Sequence, residues 1–232
     1  MILSSSRRIF FLGILCLYLF PLRVLAQDSI RSPSRWYKKE GFRILAVPSL
    51  LTLYGLSVHG ENGWYSSMDV YRDIQLHWPD FYSPIDNYLQ FVPAATVYGL
   101  HAFGVKGENP LLKATCLYGS SFALSTLFVQ GLKHTVPELR PDGSNSYSFP
   151  SGHTATAFCA AEFLHQEYGK KSVWYSVAGY TMASLTGVFR MLNNKHWESD
   201  VFVGAGIGMF STKLCYGINR ALKKRKPPKK VE

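Results

Sequence analysis

Apolar residues fall in blocks separated by short polar connectors. After a first block at residues 9–20, the runs are 44–58, 88–105, 111–132, 154–164, 173–191 and 201–218. Period-two alternation is not sustained in any of them, so the pattern predicts helices and no sheet. Most runs are long enough for helices, and three or four approach the ~20 residues needed to cross a bilayer. Residues 154–164 are short for a crossing and need flanking residues or burial among other helices. Pro48 and the short length of 44–58 suggest a re-entrant or interfacial segment. The connectors 61–84, 104–110, 137–150 and 165–172 carry Pro, Gly and polar residues and read as loops. The segment 137–150 holds three prolines and an Asp-Gly pair, which excludes a helix. The expected class is all-α: a polytopic transmembrane bundle of about six helices.

The two ends differ from this body. Arg7 and Arg8 precede the first apolar block, and Val24-Leu25-Ala26 offers a small-residue cleavage site before Gln27. Residues 1–26 therefore read as a signal peptide, with an uncleaved anchor as the alternative, and residues 27–232 as one domain. The tail at 220–232 is basic, with Arg220, Lys223, Lys224, Arg225, Lys226, Lys229 and Lys230. If this tail and the connectors bearing Lys106, Lys113, Lys170 and Lys171 are cytoplasmic, residues 133–153 and 190–200 face the other side. That corresponds to an inner-membrane protein of bacterial type with these loops in the periplasm. A cleaved signal peptide followed by a crossing at 44–58 would invert every later loop. The arrangement holds if 44–58 does not cross, or if residues 28–43 are cytoplasmic.

Composition supports an apolar helical protein without demanding it. Charged residues are 17% of the 232, against 47% hydrophobic, and the mean hydropathy is −0.01. The net charge of +10 sits largely at the ends, and no nucleic-acid-binding motif accompanies it. Cys16 lies in the leader. Cys116, Cys159 and Cys215 sit in apolar runs without metal spacing and read as small buried apolar residues.

Three segments carry chemistry. Lys133 and Arg140-Pro141, with six residues between them, stand where the 111–132 run gives way to a loop. Two cations with no carboxylate at matching positions suit an anion with several oxygens. Cations snorkelling at a helix end would look the same. Pro150-Ser151-Gly152-His153 makes a turn into an apolar helix. Its backbone N–H groups and the Ser151 hydroxyl form an anion site, with His153 at the mouth. A capping serine beside an incidental histidine is the plain alternative. Arg190, His196 and Asp200 form the third set. If 196–200 begins a helix, His196 and Asp200 share a face, and the carboxylate fixes the imidazole tautomer.

Lys-x6-Arg-Pro, Pro-Ser-Gly-His and Arg-x5-His-x3-Asp, in this order, resemble the three signature motifs of the type 2 phosphatidic acid phosphatase superfamily, in its membrane lipid phosphatase branch. The resemblance covers about residues 85–220, and residues 27–84 add little to it. It implies that His196 attacks phosphorus to form a phosphohistidine and that Asp200 orients it. It implies that His153 protonates the leaving oxygen and then helps activate water. Lys133, Arg140, Arg190, Ser151 and Gly152 would hold the phosphate, with no metal and no cofactor. His59, His77, His101, His134 and His165 form no second set. One departure is Phe189, where the third motif usually has serine ahead of arginine.

The expected partners are the membrane and a phosphorylated lipid: lipid A, undecaprenyl diphosphate, phosphatidylglycerol phosphate or phosphatidic acid. A slight preference goes to lipid A, and no partner nucleic acid is expected. A secreted, soluble, non-specific acid phosphatase shares the same motifs and a signal peptide. A non-catalytic phospholipid-binding or transport protein is the third reading.

Overall fold

The computed structural model describes residues 40–225. The expected signal peptide, residues 27–39 and the tail beyond residue 225 lie outside the described residues. The elements are α1 (Glu40–Ser57), α2 (Ser67–His77), α3 (Asp86–Leu89), α4 (Val92–Ala102), α5 (Leu111–Thr135), α6 (Gly152–Tyr168), α7 (Val173–Leu192) and α8 (Glu198–Arg225). Among the described residues there is no strand, only an isolated bridge between Glu138 and Tyr147.

The central helix is α6. Ala155, Ala157, Phe158, Cys159, Ala160, Ala161, Phe163 and Leu164 are buried on every side of it, as expected for a helix apolar all round. Its small residues let α8, α7, α4 and α5 all pack against it. The closest approach is to α8: a Cβ on Gly204 would stand 2.5 Å from the Ser151 carbonyl oxygen, and one on Gly208 2.1 Å from that of Ala155. Small residues four apart allow such backbone contact between helices. The starts of α6 and α8 are thereby drawn together, and Ser151 N–H donates to the Asp200 carbonyl at 3.0 Å.

Two buried carboxylates of α6 are held by several donors each. Glu162, fully buried, accepts from Gln166 at 2.6 Å and Lys213 at 3.1 Å, and from Tyr180. Glu167 accepts from Asn109 N–H, Asn109 Nδ2 and Tyr216, which pins the 103–110 connector. This contact and the Arg220–Glu40 ion pair lie at the end of the bundle away from the motif loops.

Two helices, Leu111–Thr135 and the Glu198–Lys223 part of α8, are long and apolar enough to cross a membrane. On α1, Leu45, Leu50, Leu53 and Leu56 are exposed, while Gly55 meets α8. An apolar stripe of this kind suits lipid better than water.

Several expectations change. Residues 44–58 are not a short re-entrant piece: α1 is a continuous helix of 18 residues containing Pro48, and it lies along α8. Glu40 is consequently at the same end as Arg220. The 61–84 connector is not all loop. Ser66 and Asp69 form a reciprocal capping box that starts α2. The 88–105 run breaks at Gln90–Phe91, leaving α4 with 11 residues, too few to cross. Cys116 is exposed and Cys215 half-buried, so only Cys159 is the buried apolar residue expected.

Candidate active site

Each motif residue is placed by local chain chemistry. The α7 helix ends in a Schellman motif: Lys195 N–H donates to Arg190 O at 3.0 Å and Asn194 N–H to Met191 O at 2.9 Å. Asn194 takes the left-handed position, φ 57°. That turn reverses the chain and delivers His196 to the mouth of α8. His196 lies two residues ahead of the helix rather than in it. Asp200 accepts at Oδ2 from Trp197 N–H at 3.0 Å, which caps α8, and pairs with His196 Nδ1 at 3.2 Å. Asp200 thus meets the start of α8 and the His196 ring with the same oxygen. With Nδ1–H on Asp200, the lone pair is on Nε2.

Ser151 is the N-cap of α6. Its oxygen faces Thr154 N–H at 3.4 Å and Thr154 Oγ1 at 2.9 Å, and the residue is fully buried. Gly152 opens the helix. His153 follows, half-buried, its Nε2 at 3.0 Å from Asn87 Oδ1. Arg140 opens a turn in which Gly143 N–H donates to Arg140 O at 2.9 Å, with Pro141 second and Gly143 at φ 70°. Lys195 and Asp142, 2.6 Å apart, and Trp197 Nε1 on Leu139 O tie this turn to the start of α8. Lys133 holds the loop itself, its Nζ on the carbonyls of Tyr147 (2.5 Å) and Ser148 (3.2 Å).

The structure brings the predicted set together. The charges of Arg190, Arg140 and Asp86 act on His153, and those of Asp200, Arg190 and Lys133 on His196. His196 is 3% exposed and Arg190 7%. Burial, ahead of the opposing pull of Asp200, lowers the His196 pKa to about 4, so the ring is neutral at pH 7. The Nε atoms of Arg140 and Arg190 are buried and have no hydrogen-bond partner. Two such donors beside a neutral imidazole make a site for a multiply charged oxyanion.

Other residues of this site were not apparent in the sequence. Asp86 is buried and pairs with Arg190 at 2.8 Å, and Asn193 Nδ2 approaches its other oxygen at 3.3 Å. Asn87 meets His153. Glu138, between Lys133 and Arg140, is a carboxylate the cation pair was thought to lack, and His59 Nδ1 lies 3.8 Å from it. Of the segment 27–84, the described residues 40–84 contribute more than expected. Tyr54 donates to Glu198, Ser67 Oγ accepts from Ser199 N–H, and Gln75 donates to Asn194, all at the third motif. Phe189 explains its own departure: its ring stacks on Phe81 with centroids 5.9 Å apart. His134 lies against Tyr147 and touches none of the set.

Residues 114–224 match the family model described as the PAP2 superfamily. The chain is 45% identical over 143 residues to lipid A 1-phosphatase of Porphyromonas gingivalis, covering 60% of this chain and 32% of that one. It is 30% identical over 116 residues to phosphatidylglycerophosphatase B of Bacillus subtilis, covering 44% and 57%. The chain thus spans about a third and somewhat over half of the lengths of these curated relatives. A transmembrane PAP2-type phosphatidylglycerolphosphate phosphatase from Bacillus subtilis superposes with a TM-score of 0.53 at 19% identity, over 78% of this chain and 99% of that one. At that identity the likeness is one of fold.

Proposed function

We propose that this chain, whose residues 114–224 match the PAP2 superfamily, hydrolyses a phosphate ester of a membrane lipid through a phosphohistidine on His196. The observation that carries this reading is the pair of unpartnered guanidinium Nε atoms beside a neutral, Asp200-bound imidazole. A phosphoryl group seated there is held by Arg140 and Arg190, with the charge of Lys133 nearby. His196 Nε2 attacks phosphorus while the bond from phosphorus to the ester oxygen breaks. Burial and then the charge of Arg190 lower the His153 pKa to about 4; the negative charge of a seated phosphate raises it, and His153, protonated in that complex, gives its proton to that oxygen. Deprotonated His153 then takes a proton from water, whose oxygen attacks the phosphohistidine, releasing orthophosphate and restoring His196. Asp200 stabilises the charge that develops on the imidazole. Ser151 serves as the helix cap that aims the start of α6, with the Gly152 and His153 backbone at the site.

Lipid A is the favoured substrate, on the 45% identity to a lipid A 1-phosphatase, and the diphosphate and glycerophospholipid candidates come after it. A membrane location is supported by the outward leucines of α1 and by the helix Leu111–Thr135. Lys106, Lys113, Lys170, Lys171 and the Arg220–Arg225 end of α8 cluster away from the site, which supports a site facing out of the cytoplasm. Since Glu40 lies with Arg220, this orientation puts the start of α1 on the cytoplasmic side, which counts against export and cleavage after Ala26. Labelling of a cysteine placed at Ser144 by a membrane-impermeant reagent in intact spheroplasts tests the orientation; protection of that cysteine contradicts it.

The substrate is tested by phosphate release from purified lipid A, phosphatidylglycerol phosphate, undecaprenyl diphosphate and phosphatidic acid, with a soluble aryl phosphate as control. Preference for one lipid is expected. Equal or faster release from the aryl phosphate, with protein that washes off membranes in carbonate, would replace this reading with the soluble phosphatase.

A further inference from the structure

Glu138 is fixed in the loop between α5 and α6 from both sides. Its N–H donates to Ser146 O at 3.1 Å, and its carbonyl accepts from Ser148 N–H at 3.0 Å. The carboxyl group points inward, with the side chain 18% exposed. Its Oε2 is buried without a hydrogen-bond partner, and so is Oδ1 of Asp200. The two carboxyl groups lie within hydrogen-bonding reach of each other. Two ionised carboxylates so placed repel, and each would leave a buried oxygen bare. One shared proton removes both problems.

The neighbours decide which carboxyl carries it. Asp200 Oδ2 receives Ser148 Oγ at 2.5 Å, Trp197 N–H at 3.0 Å and His196 Nδ1 at 3.2 Å. Three donors favour the anion on Asp200. Glu138 has only His59 Nδ1, 3.8 Å from Oε1 and beyond hydrogen-bonding distance. Burial first, then the charge of Asp200, pushes the Glu138 pKa up to about 8.

We propose that Glu138 is a positioning residue that stays protonated and donates from Oε2 to Oδ1 of Asp200, locking the carboxylate that orients His196. Asp200 then holds four donors, three on Oδ2 and one on Oδ1, from the loop, the α8 start and the nucleophile. The groups facing Glu138 are Asp200 from α8 and His59 from the α1–α2 turn; Lys133, Arg140 and His196 interact with Asp200. Loss of its proton sets a second anion against Asp200, frees that carboxylate to turn, and repels an incoming phosphate. Activity then falls on the alkaline side.

The proposal rests on His196 as nucleophile and is tested on the full chain in detergent or vesicles. Glu138→Gln keeps a donor and cannot ionise. It is expected to keep kcat within about threefold of wild type and to lose the alkaline limb. Glu138→Ala is expected to lower kcat about a hundredfold, with KM changed little. Infrared difference spectra across the alkaline titration should show a protonated-carboxyl band in wild type that Glu138→Gln lacks. Equal inactivity of the Gln and Ala variants, an unmoved alkaline limb in Glu138→Gln, or no such band in wild type overturns the proposal. Wild type that shows the band but releases no phosphate supports the carboxyl pair and counts against the hydrolase reading instead.

Discussion

Arg190 Nη1 stands 2.8 Å from Asp86 Oδ2, and both side chains are almost wholly buried, 104 residues apart in the chain. One edge of the guanidinium is thus neutralised while its Nε remains without a partner. Asp86 holds the cation in place and leaves it a donor for phosphate. Removing one partner of a buried pair costs about 3–5 kcal/mol, because the other charge is left uncompensated. Asp86→Ala is therefore expected to lower the unfolding temperature markedly, and orthophosphate to restore it more than it stabilises wild type. An Asp86→Ala protein no more responsive to phosphate than wild type would place Arg190 outside the phosphate site.

The α6–α8 contact sets the distance between the two histidines. A Cβ at Gly208 would come 2.1 Å from the Ala155 carbonyl oxygen, so the backbones must separate. Gly208→Ala is expected to cost about 1–3 kcal/mol of stability and to lower kcat with little change in KM. Gly119, also helical, has nothing within 4 Å of its Cβ position. Gly119→Ala is expected to be neutral or stabilising by up to about 1 kcal/mol. Thermal unfolding and lipid phosphate release on both variants check this pair; equal effects would remove the contact from the account.

Stability should depend on pH through groups of opposite sign, His196 and His153 on the acid side and Glu138 on the alkaline side. His196 titrates at 6.5 when unfolded and at about 4 when folded. Between those values the unfolded chain holds more protons, so this contribution is complete above pH 6.5 and is lost as the pH falls toward 4. Glu138 is raised from 4.5 to about 8. Its contribution is complete below pH 4.5 and is lost as the pH rises through 8. The windows overlap from pH 4.5 to 6.5, where the two histidines outweigh the single carboxyl, so the unfolding temperature should be highest near pH 6.5 and fall on either side. His196→Gln should reduce the acid slope by about half and Glu138→Gln should flatten the alkaline side; an acid slope unchanged in His196→Gln would assign it to another group.

The motif residues were legible because cations, histidines and a carboxylate at fixed spacing are conspicuous among apolar runs. The helical class was legible for the reason that the runs are long and lack alternation. Asp86 and Asn87 were not legible, because their partners Arg190 and His153 lie 104 and 66 residues away and only the bundle brings them together. Glu138 was not legible either, since nothing local reveals that Asp200 faces it. Other features were readable and went unread. Ser66-x-x-Asp69 announces the start of α2, and Gly204-x-x-x-Gly208 announces a close helix contact. Pro48 misled because a proline reads as a break, whereas a helix packed in a bundle carries one.

The most direct test is to trap the phosphoenzyme. Protein mixed with phosphorylated lipid, quenched in alkaline denaturant and digested, is examined by mass spectrometry for phosphate on the peptide containing His196. The account predicts phosphate on His196, none in His196→Ala, and phosphate release that falls to background in that variant. Phosphate on another residue, or release by His196→Ala at the wild-type rate, would contradict it.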